Sequence, residues 1–287
     1  MTPQRTTMAT ARTIAEVREL LAAAPRPVGL VPTMGALHEG HLSLLRHACD
    51  ANATVVMSLF VNPAQFAAGE DLASYPRDEA RDSRLAAQAG VDVVFAPTAA
   101  EMYPDGFATA IEVAGLSEGL EGAARGAAHF RGVATVVAKL LNIVAPDVAY
   151  FGQKDAQQAA VVRRMARDLN MAVTIEVRPT VRAADGLALS SRNAYLEGED
   201  RVRAAGLWRA LSAAAALVEA GERERPAIVA AAEEELAREG IRAEYLAIVD
   251  PQTLAEVSAV AGPVMIALAA RIGPARLIDN VVASPPA

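Results

Sequence analysis

From Arg26 to about Arg182 the sequence alternates short β-branched, apolar runs with longer segments of helical period. That alternation restricts the chain to βα units wound around a parallel sheet. The predicted strands are Val28 to Pro32, Thr54 to Val61, Val91 to Ala96, Asp147 to Phe151 and Val173 to Val177. Between them, Leu42 to Ala51, Glu79 to Ala89, Gly132 to Val144 and Ala156 to Leu169 have the length and period of helices that cover the sheet faces. The expected fold class is therefore α/β, a doubly wound parallel sheet of Rossmann-like type. After Asn193 the pattern changes. Two Ala- and Glu-rich segments, Glu199 to Gly221 and Pro226 to Glu239, read as helices, and Ala243 to Val249, Val264 to Ala270 and Arg276 to Asn280 read as strands. This predicts a second, smaller α+β C-terminal domain, with residues 1–184 in the first domain and 185–287 in the second. Upstream of Ile14, where Arg5 and Arg12 stand among threonines, the chain reads as a loose tail.

Composition narrows the function classes. A formal net charge of −7 gives no general attraction to nucleic acid or to an anionic membrane, so any phosphate binding must come from a local site. Cys49 is the only cysteine, which excludes an intrachain disulfide and a zinc ribbon and fits a reducing, cytoplasmic setting. Mean hydropathy is +0.22. The apolar runs Val133 to Ala145 and Ala204 to Val218 nevertheless carry Lys139 and Arg209, and Gly262 and Pro263 break the run from Ala259 to Ala270. Since a spanning helix needs about 20 apolar residues, no membrane span is expected.

Four segments carry chemistry. The first strand runs into Pro32-Thr33-Met34-Gly35-Ala36-Leu37-His38-Glu39-Gly40-His41, where an open α/β sheet offers helix N-terminal amides to phosphate. Gly35 and Gly40 allow close backbone approach, and His38 and His41, three residues apart, are positioned to donate N–H to phosphoryl oxygens. The competing reading is a helix cap or a satisfied core histidine. A zinc helix is excluded, because that motif needs its histidines four residues apart. In Phe151-Gly152-Gln153-Lys154-Asp155-Ala156-Gln157-Gln158, Lys154 offers a positive charge to phosphate and Asp155 a hard oxygen to Mg²⁺ carried by ATP, with Gln158 one turn beyond Lys154. Capping and helix-dipole effects explain the Lys-Asp pair equally well. Leu189-Ser190-Ser191-Arg192-Asn193 supplies two hydroxyls and a guanidinium for phosphate oxygens, or else forms a serine-rich turn. In Phe60-Val61-Asn62-Pro63-Ala64-Gln65-Phe66, Gln65 is placed to hydrogen-bond a polar substrate where a strand ends.

Taken together and in this order, the four segments resemble the pantothenate synthetase family: its His-Xaa-Gly-His loop, its Phe-Val-Asn-Pro-Xaa-Gln-Phe, Gly-(Gln/Glu)-Lys-Asp-Xaa-Gln-Gln and Ser-Ser-Arg-Asn segments are all present. The likeness runs from about Val31 to the ending Arg276-Leu277-Ile278-Asp279-Asn280. The first segment alone points only to the wider nucleotidyltransferase superfamily, with class I aminoacyl-tRNA synthetases and cytidylyltransferases. The resemblance implies a cytoplasmic homodimer that uses ATP and Mg²⁺ to join pantoate to β-alanine through a pantoyl adenylate, releasing pyrophosphate and then AMP. It further implies that Met34, Gly35, Ala36, Leu37, His38, Glu39, Gly40 and His41 line ATP, with His41 as acid and His38 beside it on the phosphates. Gly152, Gln153, Lys154 and Asp155, then Leu189, Ser190, Ser191 and Arg192, complete the nucleotide site, with Val181 near adenine. Gln65 and Gln158 hold pantoate and Gln65 also meets β-alanine, while Asn62, Tyr75, Arg125 and His129 match positions near the same pocket. Ala156 and Leu189 depart from the family's commonest wording, where an aromatic residue and a methionine are frequent.

Three other readings compete: a cytidylyltransferase-like enzyme, an adenylate-forming relative acting on another acid, and a nucleotide-sensing module on the same fold. The acidic charge and the absence of a basic appendage argue against a tRNA synthetase. A sensor has no need of phosphate-clamping side chains combined with substrate amides.

Overall fold

The computed structural model describes residues 8–66, 72 and 75–286. In chain order, the elements of the first part are β1 (Ala9–Ala11), α1 (Ile14–Leu21), β2 (Val28–Thr33), α2 (Glu39–Ala51), β3 (Thr54–Leu59), α3 (Glu79–Ala89), β4 (Val93–Phe95), α4 (Ala99–Met102), α5 (Glu121–Arg125), α6 (Ala127–Val144), β5 (Val148–Gly152), α7 (Ala156–Asp168) and β6 (Thr174–Arg178). The six strands form one sheet in the order β1-β4-β3-β2-β5-β6, and each neighbouring pair is parallel. The chain winds outward from β2 in one direction through β3 and β4, and in the other through β5 and β6. The strand order therefore reverses between β2 and β5, and the crevice beyond the carboxyl ends of such strands is where open α/β sheets bind ligands. On one face, Leu45 and Ala48 of α2 and Ala86 of α3 pack on Val31, Val55, Met57 and Val94 of the sheet, all buried.

Contacts divide the chain into two compact units. One runs through Gly152 and includes Val161–Arg178; the other is Gln153–Ala160 together with the chain from Pro179 onward. The second unit contains α8 (Gly198–Arg203), α9 (Gly206–Glu219), α10 (Arg225–Arg238), β7 (Ala243–Val249), β8 (Val264–Ile272) and β9 (Ala275–Ala283). Its three strands pair antiparallel in the order β7-β8-β9. Leu207, Leu211 and Val218 of α9 and Ile228 and Leu236 of α10 bury their side chains with Ile248, Ile266 and Leu268 of that sheet.

The two layers match the fold class expected from the pattern, with local differences. The chain before Ile14 is not loose from Met8 on: Ala9–Ala11 adds to the sheet edge beside β4. Thr13 then caps α1 through a reciprocal contact with Glu16, a sequence signature of a helix start. Arg5 lies outside the described residues. The segment from Glu199 to Gly221 is two helices, α8 and α9, where one is expected from the sequence. At the start of α9 the chain passes close to a third segment, where a Cβ on Gly206 would meet Glu239 Cγ at 2.7 Å. Among the described residues no helix is long and apolar enough to cross a membrane.

Candidate active site

The turn after β2 is built around left-handed backbone. Gly35 has φ 87° and Ala36 has φ 51°, a conformation that disfavours any residue with a Cβ. A carboxylate from α3 holds it there. Asp82 Oδ2 accepts the Ala36 N–H at 2.8 Å and Oδ1 accepts the Leu37 N–H at 2.9 Å, and Asp82 is only 1% exposed. These two amides are thus occupied by Asp82, which leaves side chains and the helix start to meet an anion.

Helix α2 begins at Glu39, three residues earlier than its periodicity predicts, and His38 is its N-cap. The two histidines meet through this cap. His38 Nδ1 accepts the Gly40 N–H at 3.2 Å, and His41 Nδ1 accepts the His38 N–H at 3.4 Å. With Nδ1 accepting in both rings, the proton of each neutral imidazole sits on Nε2, so each ring is a donor at the same atom. The ring centroids lie 4.1 Å apart. The capping reading and the phosphate reading are therefore compatible, because the cap uses one nitrogen of each ring and fixes the other as N–H.

Beside this turn stands an amide network. Asn62, 1% exposed, accepts the Tyr103 hydroxyl at 2.7 Å and the Ala64 N–H at 3.2 Å. Its own Nδ2 donates to Gln65 Oε1 at 3.1 Å and to the Gly132 carbonyl at 3.2 Å. Gln65 Nε2 donates to Met34 Sδ at 3.0 Å. Each partner constrains the next, so the Gln65 amide plane is set before any ligand arrives. His129 fixes the backbone beneath it: Nδ1 donates to the Gln65 carbonyl at 2.8 Å, while Nε2 accepts from Arg125 at 3.1 Å. This is the opposite tautomer from that of His38 and His41. Tyr75 is buried edge-on against Phe66, with centroids 5.9 Å apart. Helix α6 presses on the same turn, and a Cβ on Gly132 would stand 2.2 Å from the Ala64 carbonyl oxygen. Burial pushes the Tyr103 hydroxyl up to about 12, so it remains the donor to Asn62 even well above neutral pH.

The second unit holds the remaining candidates. Lys154 and Asp155 lie in a 3₁₀ turn that enters α7, with Lys154 Nζ 3.6 Å from Asp155 Oδ1. The lysine side chain is 18% exposed and the aspartate 51%. Gln158, half-buried, follows one turn into α7. Val181 and Leu189 are brought together, since the Leu189 N–H donates to the Val181 carbonyl at 3.0 Å across a turn closed by Ala183 and Leu187. Ser190 caps the short helix Ser191–Tyr195 by accepting the Arg192 N–H at 3.3 Å, and Ser190, Ser191 and Arg192 are half-buried. Among the described residues no group of three or more His, Cys, Asp and Glu side chains gathers as a cation cage.

Four side chains outside the four chemistry-bearing segments shape these turns: Asp82, Tyr103, Arg182 and Asn280 of the C-terminal ending. Arg182 grips Asp279 in a fork, at 2.6 and 3.0 Å, and lies 3.7 Å over the Trp208 ring. Burial pushes the Asp279 carboxyl above its ordinary range, against the opposing pull of Arg182.

Against known proteins, the family model described as pantoate-beta-alanine ligase matches residues 9–282. The pantothenate synthetase of Moorella thermoacetica is 57% identical over 275 residues, covering 94% of this chain and 97% of that relative. The crystal structure of pantothenate synthetase from Thermus thermophilus superposes with a TM-score of 0.91 at 50% identity, covering 96% of this chain and 99% of its own. The pantoate-beta-alanine ligase of Francisella tularensis, solved in complex with beta-gamma ATP and beta-alanine, gives a TM-score of 0.80 at 33% identity, covering 96% and 97%.

Proposed function

The chain belongs to the pantoate–β-alanine ligase family, and on that premise we propose that it condenses pantoate with β-alanine, consuming ATP, through a pantoyl-adenylate intermediate. A carboxylate resists attack by an amine because oxide is a poor leaving group, so the acid must first be activated. In the first step a pantoate carboxylate oxygen attacks the α-phosphorus, the bond from that phosphorus to the bridging oxygen breaks, and pyrophosphate leaves. In the second, the β-alanine nitrogen attacks the acyl carbon, the acyl carbon–oxygen bond breaks, AMP leaves and the amine proton is lost to solvent or base.

The observation that best supports this reading is the pair of imidazoles at the start of α2, both fixed with N–H at Nε2. Such donors stabilise charge that grows on a departing phosphate without reorganising during the step. In this proposal His41 and His38 meet the phosphates, Lys154 and Arg192 add positive charge, and Ser190, Ser191, Leu189, Val181 and the Met34–His41 turn complete the ATP site. Gln65, Gln158 and Asn62 orient pantoate, and Gln65 then meets the amine. Rate enhancement comes from holding three reacting groups in line and balancing phosphate charge, with no protein nucleophile needed. Asp155 is the carboxylate that would hold Mg²⁺, whose chemistry there is to neutralise phosphate charge.

The decisive test is exchange of labelled pyrophosphate into ATP. We expect exchange that requires pantoate and a divalent cation but not β-alanine, that stops with chelator and that returns with added Mg²⁺. AMP formation only with all three substrates, and no exchange, would replace the adenylate with a concerted route; exchange driven by a different acid would move the chain to the rival adenylate-forming reading. We further propose a cytoplasmic homodimer. Light scattering should then give about twice the 29.9 kDa chain mass, and a monomer at micromolar concentration defeats that assembly.

A further inference from the structure

The ending Arg276-Leu277-Ile278-Asp279-Asn280 carries no role in the proposed reaction, yet its last residue reaches the turn that bears Lys154. Asn280, 4% exposed, uses its whole side-chain amide there. Nδ2 donates to the Gln153 carbonyl at 2.9 Å and to the Lys154 carbonyl at 3.0 Å, while Oδ1 accepts from Gln153 Nε2 at 2.9 Å. The backbone of Asn280 is held in turn. Its N–H donates to Asp279 Oδ1 at 2.8 Å, and its carbonyl accepts from Arg182 at 3.2 Å. Arg182 is itself locked by the Asp279 fork, by the Gly186 carbonyl at 3.1 Å and by the Trp208 face. A chain of polar contacts, buried at Asp279 and Asn280 and half-buried at Arg182 and Gln153, therefore runs from the Trp208 face to the backbone of Lys154.

From this geometry we infer that Asn280 is a positioning residue for Lys154: it ties the Gln153-Lys154-Asp155 turn to β9 and so sets where the lysine stem begins. Lysine is a point charge on a flexible stem, and its aim depends on how well its backbone is anchored. Misplacing such a charge by about 1 Å costs up to about 10²-fold in rate. The inference rests on the adenylation role proposed for Lys154, and two measurements keep the two ideas apart.

The first measurement is kinetic. Asn280→Ala should lower pantoate-dependent exchange by about 10- to 100-fold, and should keep most of the amide-forming rate when preformed pantoyl adenylate is supplied. In a Lys154→Ala background the same substitution should cost no more than about twofold further, because a residue acting through Lys154 has nothing left to act on. Leu277→Ala, a buried core position on the same strand, serves as the control: it trims core packing while leaving every hydrogen bond of the clamp and of the β8–β9 ladder in place, and should leave exchange close to that of the unmodified protein. Should Asn280→Ala fail to accumulate as folded protein, Asn280→Ser, too short to span both carbonyls, carries the same test. Additive losses in the double variant, or equal losses in Leu277→Ala, overturn the inference.

The second measurement needs no reaction. Hydrogen exchange over residues 153–158 should quicken in Asn280→Ala and not in Leu277→Ala, and unchanged protection there overturns the tie whatever the enzyme catalyses. Absence of pantoate-dependent exchange in the unmodified protein would instead defeat the functional reading alone.

Discussion

Alanine at His41 or Lys154 is expected to slow pantoate-dependent pyrophosphate exchange by about 10² to 10³, the equivalent of about 2.7 to 4 kcal/mol for a lost preorganised donor. The expectation follows from how each group is held. His41 accepts the His38 N–H through Nδ1 at 3.4 Å, so Nε2 carries its proton in the neutral form, and a donor fixed in advance helps most where charge is still growing. Lys154 is mostly withdrawn from water, at 18% exposure, which strengthens its field on any nearby phosphate. On the proposed roles, neither contact outlasts the first half-reaction, because pyrophosphate has then gone. Supplied with preformed pantoyl adenylate and β-alanine, both variants should therefore recover much of their amide-forming rate. Gln158→Ala should behave differently, raising the apparent KM for pantoate more than that for ATP. Thermal melts close to that of the unmodified protein, together with equal damage to both half-reactions in all three variants, would show that the site does not divide in this way.

What the sequence makes legible and what it hides separate along a physical line. The parallel sheet is readable because each strand and its helix are contiguous, and periodicity is a local signal. The two histidines, the Asn62 to Gln65 segment and the Lys154 turn are readable for the same reason: each is a short run of chemically capable residues at a strand end. Their supports are remote. Tyr103 reaches Asn62 across 41 residues, His129 reaches the Gln65 carbonyl across 64, and Asn280 reaches Gln153 across 127. No window on the sequence contains both ends of such a contact. Helix α3 is the sharpest case. Its periodicity predicts the bounds it has, Glu79–Ala89, yet nothing in its composition marks Asp82 as different from its exposed acidic neighbours. A cap is one of the readings open for His38 from the sequence, although histidine is not among the usual capping residues; the bond from Gly40 shows that it caps α2 while keeping its other ring nitrogen for N–H.

Asp82 therefore yields the second large effect. Its carboxylate is buried and accepts two backbone N–H groups, those of Ala36 and Leu37, and removing it strands both donors, each at a cost of about 1 to 3 kcal/mol. The turn it holds is also one that the chain would not choose. Ala36 at φ 51° carries a strain of about 1 to 2 kcal/mol, which the Asp82 bonds offset. Asp82→Ala should accordingly lower the melting temperature by about 2 to 4 °C for each kcal/mol lost, and let the turn relax toward ordinary backbone. The catalytic consequence follows from the chain order: His38 comes directly after Leu37, so a relaxed turn moves the cap of α2 and with it both rings. A displacement near 1 Å is enough for a loss of about 10² in adenylation, while amide formation from preformed pantoyl adenylate should be much less affected. Asp82→Asn separates strain from charge. The asparagine has the same shape but offers one acceptor where two are needed, and turns an N–H toward an N–H, so its loss of stability and of exchange should fall between those of the unmodified protein and Asp82→Ala. If Asp82→Ala melts and exchanges like the unmodified protein, the turn holds its shape without the carboxylate, and the geometry of the two histidines must be credited to α2 alone.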